Sequence, residues 1–189
     1  MQGGIPRRWL ALAVLAAAIA WPTARLAASD APALEYKVKA GYLFNFAKFI
    51  EWPALAGSTA DRPLVIGVID DGEALPVLRG LLEGKQVNGR TIAVKAVASD
   101  RIGDEVQILL VTRAAGKKPD EIRAALGKSA TLLVGETEFF SERGGMVAFV
   151  REDDAIRLTL NLERTAEVGL KVSAKLATVA RVVKSQPVR

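Results

Sequence analysis

The side chains available for chemistry in this sequence are carboxylates, hydroxyls and amines, because its 189 residues include no histidine and no cysteine. These absences remove the commonest general base, the thiol nucleophile and the usual zinc ligands. Ser141 and Ser173 have neither a histidine nor a Ser-x-x-Lys lysine beside them. We therefore predict no catalytic residue, no metal site and no cofactor, and we expect a binding protein, not an enzyme.

Asp70 and Asp71 are the carboxylates best placed to meet a ligand. They follow the apolar run Leu64–Ile69, and α/β sheets bind ligands beyond the carboxyl ends of their strands. A helix-start cap is the structural alternative, because Asp is strongly preferred at that position. Asp70 and Asp71 thus form a candidate ligand site in one functional hypothesis, that of a solute-binding sensory domain.

Aromatic residues crowd into the segment 36–52. Core packing explains them, since a monomer rarely leaves a large apolar patch bare. The alternative is that one stripe, formed by Tyr42, Phe46 and Phe49, is exposed and anchors a partner, because aromatic side chains are favoured at binding hot spots. We take these three residues as the candidate partner-binding site.

The aromatic segment is predicted to be a helix over Glu35–Glu51. Apolar residues recur along it at steps of three and four, which is the spacing of one helix face. Pro53 ends the helix, because the residue before a proline is pushed out of helical geometry. The face consists of Tyr36, Ala40, Leu43, Ala47 and Ile50.

Beyond this helix, apolar β-type runs alternate with helical segments, an order that predicts a largely parallel sheet with helices on its faces. Asn88-Gly89 and Gly144-Gly145 are interpreted as turn glycines, because neither pair matches a phosphate-binding loop. The predicted strands are 64–69, 91–97, 106–111 and 130–134, and the predicted helices are 73–82 and 119–126.

The last part of the chain changes pattern. Met146–Val150 and Ala155–Leu160 flank a charged turn and predict a β-hairpin, and apolar residues from Val172 to Val183 keep helical spacing. The predicted fold is therefore a single α/β domain with a mixed, mostly parallel sheet flanked by helices, a C-terminal hairpin and a C-terminal amphipathic helix.

The first 28 residues have the pattern of a secretory signal peptide. Arg7 and Arg8 precede an apolar run from Trp9 to Ala20, and small residues follow at Ala27-Ala28. The run is shorter than the roughly 20 residues of a membrane-spanning helix. We therefore predict a signal peptide over 1–28, a single domain over 29–189 and a periplasmic location.

The formal charge of +5 does not indicate a nucleic-acid-binding protein. Three of the 26 basic residues lie in the first 28, and the remainder nearly balances the 21 acidic residues. Phosphate binding requires a concentrated basic surface. We accordingly expect no nucleic-acid partner.

An ordered set of motifs resembles the YfiR/HmsC family of periplasmic regulatory proteins. Val38–Pro53, with the sequence VKAGYLFNFAKFIEWP, is similar to the family's N-terminal signature. Further similar segments follow in the family's order across most of the chain: Val87–Arg90, Gly144–Val147, Leu160–Leu162 and Gly169–Leu176.

The resemblance implies a periplasmic α/β domain, often a homodimer. It also implies a protein that binds the periplasmic part of an inner-membrane diguanylate cyclase, or of another membrane sensor, and holds it inactive. Less cyclic-di-GMP is then made and biofilm formation is restrained. The best-known members carry disulfide-bonded cysteines, and the family often has one near Val106–Leu109. Because this sequence has none, disulfide redox control is excluded.

Overall fold

The structure, a computed structural model, describes residues 30–55, 61–69, 72–102 and 105–186. The helices are α1 (Asp30–Phe49), α2 (Ala74–Leu82), α3 (Pro119–Leu126), α4 (Leu162–Glu167) and α5 (Ala174–Ala177), with a 3₁₀ turn at Pro53–Leu55. The strands are β1 (Ile50–Glu51), β2 (Leu64–Ile69), β3 (Gln86–Val87), β4 (Arg90–Ala96), β5 (Val106–Val111), β6 (Leu132–Gly135), β7 (Val147–Glu152), β8 (Ala155–Leu160), β9 (Lys171–Val172) and β10 (Arg181–Val182).

An eight-stranded mixed sheet organises the domain, in the order β10-β8-β7-β6-β5-β2-β4-β3. Strands β4, β2, β5, β6 and β7 run parallel to one another, whereas β7–β8 and β3–β4 are antiparallel pairs. The small strands β1 and β9 form a separate antiparallel pair. The predicted fold class, a mixed and mostly parallel sheet flanked by helices, is confirmed.

The central strands are apolar on both faces. Every residue of β2, β5 and β6 is buried, as expected where helices cover both sides of a parallel sheet. Their carboxyl ends emerge together at one edge of the sheet. Loops at this edge lead from β5 into α3 and from β6 towards β7.

Gln107 is a polar exception inside this core. The β2–β5 ladder is irregular between Val65 and Ile66. The side-chain Oε1 of Gln107 accepts a hydrogen bond from the Val65 N–H at 2.8 Å. The backbone carbonyl of Gln107 accepts one from the Trp52 indole N–H at 3.1 Å. The amide side chain thus satisfies a backbone donor that the irregular ladder leaves without a strand partner.

The C-terminal segment differs from its prediction. The prediction of a long amphipathic helix from Val172 to Val183 is wrong, because the helix there spans only Ala174–Ala177. Val172 instead pairs with Ile50, and Val182 pairs with Leu160. β-branched residues favour strands, and here partners distant in sequence supply the ladder bonds that outweigh helical periodicity.

Candidate functional site

Helix α1 buries its predicted apolar face. Tyr36, Ala40, Leu43, Ala47 and Ile50 all lie in the core. The prediction that Phe46 is exposed is wrong, because its side chain is 1% accessible. Phe46 stacks on Phe149 of β7 with ring centroids 6.0 Å apart.

The other two residues of the candidate stripe are half-buried. The Tyr42 and Phe149 ring centroids are 5.9 Å apart, and the Tyr42 hydroxyl donates to the Ile156 carbonyl at 3.4 Å. Two ammonium groups lie near the Phe49 ring, that of Lys48 at 5.4 Å and that of Lys175 at 5.3 Å from its centroid. Tyr42 and Phe49 therefore keep a partly accessible side, whereas Phe46 belongs to the core.

The exposed face of α1 is rotated from the predicted one. Leu34 is 62% accessible and Val38 is 44% accessible, and both rank among the large apolar side chains that are exposed. Gly41 and Asn45 continue the same face. At 100° per residue, Tyr42 and Phe49 fall on one flank of this face. We call Leu34, Val38, Gly41 and Asn45 the outer face of α1.

A buried ion pair fastens the inner side of α1 to the sheet. The Lys39 ammonium lies 2.8 Å from Glu136 Oε1 and 2.5 Å from Glu35 Oε1. Lys39 and Glu136 are each only a few per cent accessible. The contact with Glu136 is an ion pair outside hydrogen-bond geometry. The Tyr36 ring lies 4.7 Å from the same ammonium, which adds a cation–π attraction.

Glu136 also joins two loops at the carboxyl ends of the parallel strands. Its Oε2 accepts from the Arg113 backbone N–H at 3.0 Å and from the Tyr36 hydroxyl at 3.4 Å. Its carbonyl accepts from the Arg113 guanidinium at 3.0 Å. Arg113 lies in the loop after β5, and Glu136 is the first residue after β6. A single carboxylate thus connects both loops to α1.

Sequence reasoning missed Lys39 and Glu136. Two signals could have found them. Glu136 directly follows a strand of continuous apolar residues, and Lys39 lies on an inner side of α1 between the apolar positions. Charged residues in such positions are almost never fully buried unless they are paired, so each would have required a partner of opposite charge.

Other motif residues hold the framework. Asn88 and Gly89 have φ values of 48° and 77°, as a two-residue hairpin turn requires. The Asn88 amide donates to the Lys48 carbonyl at the end of α1 at 3.2 Å. The Arg90 guanidinium donates to the Leu55 carbonyl at 3.1 Å. This hairpin therefore supports the segment that follows α1.

Asn161 organises a second buried network. Its amide N–H groups donate to the Ser141 carbonyl at 2.9 Å and the Ser185 hydroxyl at 3.1 Å. Its Oδ1 accepts from the Arg164 N–H and caps α4. The Ser141 hydroxyl is 2.6 Å from that of Thr159. Ser141 therefore takes part in a structural network with Thr159 and Asn161.

The glycine pair at 144–145 does more than turn the chain. Gly144 has φ 120°, which fits the predicted turn. Gly145 and Gly135 flank the buried Phe140 ring so closely that a Cβ at either position would overlap it. These glycines let the loop after β6 close over the sheet.

Asp70 and Asp71 lie outside the described residues, as do the predicted signal peptide and the boundary at residue 28. Within the described part of the chain, His, Cys, Asp and Glu side chains form no group of three that could hold a metal ion. None of the described helices has the length and apolar character to cross a membrane.

A family model described as YfiR/HmsC-like matches residues 36–181, a range that runs from within α1 to the first residue of β10. No curated protein matches the chain. Most of α1 and of the two networks falls inside the matched region, whereas Leu34 and Glu35 precede it and Ser185 follows it.

Two solved structures are similar at 11% identity. One is a conserved domain protein from Vibrio cholerae O1 biovar El Tor, with a TM-score of 0.47, covering 64% of this chain and 54% of that one. The other is an ABC domain in complex with L-Trp from Streptococcus pneumoniae, with a TM-score of 0.44, covering 64% and 55%. The chain spans just over half the length of each.

Proposed function

The chain belongs to the YfiR/HmsC-like family, and on that premise we propose that it represses an inner-membrane diguanylate cyclase, or a related membrane sensor, by binding the periplasmic domain of that sensor. At family level these proteins are periplasmic regulators of cyclic-di-GMP signalling and are not catalytic. Repression would lower cyclic-di-GMP and restrain biofilm formation. The proposed location is the periplasm, after removal of the signal peptide.

The observation that carries the proposal is the outer face of α1. Leu34 and Val38 expose apolar surface on the helix that bears the family signature. The accessible sides of Tyr42 and Phe49 extend this surface on one flank, so these two residues remain in the proposed partner-binding site. Aromatic and apolar side chains of this kind act as anchors in protein interfaces.

The buried ion pair explains how such a surface can be presented in one orientation. Lys39 lies on the inner side of the same helix and is held by Glu136 at the sheet edge. A repressor that changes a sensor from mostly active to mostly inactive must prefer one state by roughly 5 kcal/mol. A rigid binding surface serves this purpose, because little of the binding free energy is then lost in ordering the helix.

We propose that the protein is not an enzyme. The sequence has no histidine or cysteine, Ser141 is engaged with Thr159, and the Ser173 hydroxyl caps α5 by accepting from the Leu176 N–H. Without an adjacent base, neither hydroxyl can be activated as a nucleophile. Purified protein is expected to show no turnover of ester, phosphate or glycoside substrates.

The test is the intracellular concentration of cyclic-di-GMP in the source bacterium with and without this gene. Deletion should raise the concentration, and expression of the full chain should lower it again. A chain lacking residues 1–28 is the control, because it should stay inside the cell and fail to restore repression. An unchanged concentration on deletion would exclude a cyclase as the target and favour another membrane sensor.

A solute-binding sensory domain is the second candidate function. It is favoured by a cleft at the carboxyl ends of β5 and β6, lined by the loops that follow these two strands. A small molecule present at 100 times its dissociation constant should stabilise the protein by about 2.7 kcal/mol. Thermal unfolding in the presence of candidate solutes distinguishes this function from partner binding alone. In this candidate function, Asp70 and Asp71 are also part of the proposed ligand site.

A further inference from the structure

An open cleft of about 840 Å³ lies between the two loops that Glu136 connects. One wall is Gly116–Asp120, which leads from β5 into α3. Thr137, Glu138, Phe140 and Arg143 line the other side of the cleft, and Gln186 also belongs to its lining. Its volume is in the range of small-molecule sites, and it occupies the edge of the sheet where α/β proteins bind ligands.

Three cationic side chains in this cleft have no anionic partner among the described residues. Lys117 and Lys118 form no ion pair or side-chain hydrogen bond there, and Arg143 contacts only the Phe139 ring, at 5.4 Å. Two carboxylates, those of Asp120 and Glu138, also line the cleft. The lining therefore has one excess positive charge.

The two lysines directly precede α3, whose cap residue Lys118 offers no side-chain acceptor to the first-turn N–H groups. Cations at this end of a helix oppose the helix dipole. Asp120 and Glu121 in the first turn offset this effect. An anion in the cleft would neutralise the lysines and accept from free N–H groups of the helix, so the arrangement favours a negatively charged ligand.

The floor of the cleft is preformed. Phe140 is buried and closely flanked by Gly135 and Gly145. The Gln186 backbone N–H and side-chain amide both donate hydrogen bonds to Glu142. A binding site with a fixed floor needs little reorganisation when its ligand arrives. The exposed lining of the cleft is mainly apolar, which suits a ligand with a carbon skeleton better than a bare inorganic ion.

We propose that this cleft binds a small organic anion that carries carboxylate or phosphate groups. Lys117 and Lys118 contact it from one wall, and the Arg143 guanidinium binds it from the other, in the fork geometry that arginine offers to such groups. Glu136 connects both walls to Lys39 of α1. We therefore expect ligand binding in the cleft to affect partner binding by the outer face of α1. This consequence rests on the proposed function, whereas the ligand site itself does not.

The test is amide NMR on the isotope-labelled protein titrated with citrate, inorganic phosphate or uncharged glycerol. Citrate or phosphate should shift the resonances of residues 116–120 and 137–143 to saturation, and whichever does so identifies the preferred anionic group. The double variant Lys118→Gln/Arg143→Gln should weaken binding at least tenfold. The control Lys85→Gln/Lys128→Gln removes the same charge at exposed sites outside the cleft and should bind like the wild type.

Absence of saturable shifts in the cleft with either anion would overturn the proposal, as would equal binding by the double variant and the wild type. Equal shifts with glycerol would overturn the anionic chemistry. No sensor takes part in the titration. Failure here would therefore leave partner binding by α1 untouched, and failure of repression in cells would leave this site untouched.

Discussion

The Lys39 ammonium lies 2.8 Å from Glu136 Oε1, and both side chains are buried almost completely. The pair joins the helix that carries the family signature to the edge of the sheet where the loops after β5 and β6 begin. Burying two charges costs much of what their attraction returns. The pair is therefore better suited to positioning α1 than to adding net stability, and this interpretation can be tested.

Removing one member of the pair should be strongly destabilising. Lys39→Met or Glu136→Gln leaves the other group buried with less compensation, which typically costs 3–5 kcal/mol. The double variant should recover part of this loss. Urea unfolding of the single and double variants measures the coupling energy. Lys37→Met, at an exposed neighbouring position, is the control and should change the free energy of unfolding by about 0.5 kcal/mol or less. If the losses of the two single variants simply add in the double variant, the pairing is contradicted.

Phe46 should behave as a core residue. Phe46→Ala removes a ring stacked on Phe149 and should lower the free energy of unfolding by about 3–5 kcal/mol. A charged residue at this position should unfold the domain. Thermal unfolding followed by circular dichroism measures the effect, with the exposed Asn45→Ala as the comparison. A Phe46→Ala protein as stable as the wild type would restore the original idea of an exposed Phe46.

The outer face of α1 should matter for repression and not for folding. Leu34→Glu/Val38→Glu should leave thermal unfolding within a few degrees of the wild type, because both side chains are already exposed. It should fail to lower cyclic-di-GMP in the deletion strain. Val179→Glu/Val182→Glu changes exposed valines elsewhere and should restore repression. Equal activity of the two double variants would move the partner surface away from α1.

Two glycines should respond in opposite ways to alanine. Gly135→Ala places a methyl group in the Phe140 ring and should cost about 1–3 kcal/mol, as overpacking does. Gly80 lies in α2 with open space around it, so Gly80→Ala should stabilise by roughly 0.5–1 kcal/mol. Denaturant midpoints compare the two. A neutral Gly135→Ala would show that Phe140 can move aside.

Asn161 should contribute more to the free energy of unfolding than a residue that only caps a helix. Asn161→Ala removes the cap of α4 and leaves the buried Ser141 carbonyl without that donor, for a combined loss on the order of 2–4 kcal/mol. Ser173→Ala removes only the cap of α5 and should cost about 1 kcal/mol. Chemical unfolding of the two variants gives the comparison, and similar losses would mean that Ser141 finds another donor.

Elements with a strong local signal could be predicted from the sequence. The continuous apolar runs at 64–69 and 106–111 form strands as predicted, and the inner face of α1 from Tyr36 to Ala47 is buried as predicted. Both follow because periodicity and strand propensity act within one segment. The Asn88-Gly89 turn also follows from its two residues, since few residues other than Asn and Gly adopt its backbone angles readily. The hairpin of β7 and β8 follows from alternation around a charged turn.

Relationships between distant segments could not be predicted from the sequence and are seen only in the folded chain. A helix with two apolar stripes can bury either one or both, and the position of Phe149 on β7 buried Phe46 while leaving Leu34 and Val38 outside. Val172 and Val182 gave up helical spacing because Ile50 and Leu160 offered strand pairing. Lys39 and Glu136 found each other for the same reason: a buried charge is stabilised by a partner in space, and local sequence does not encode where that partner lies.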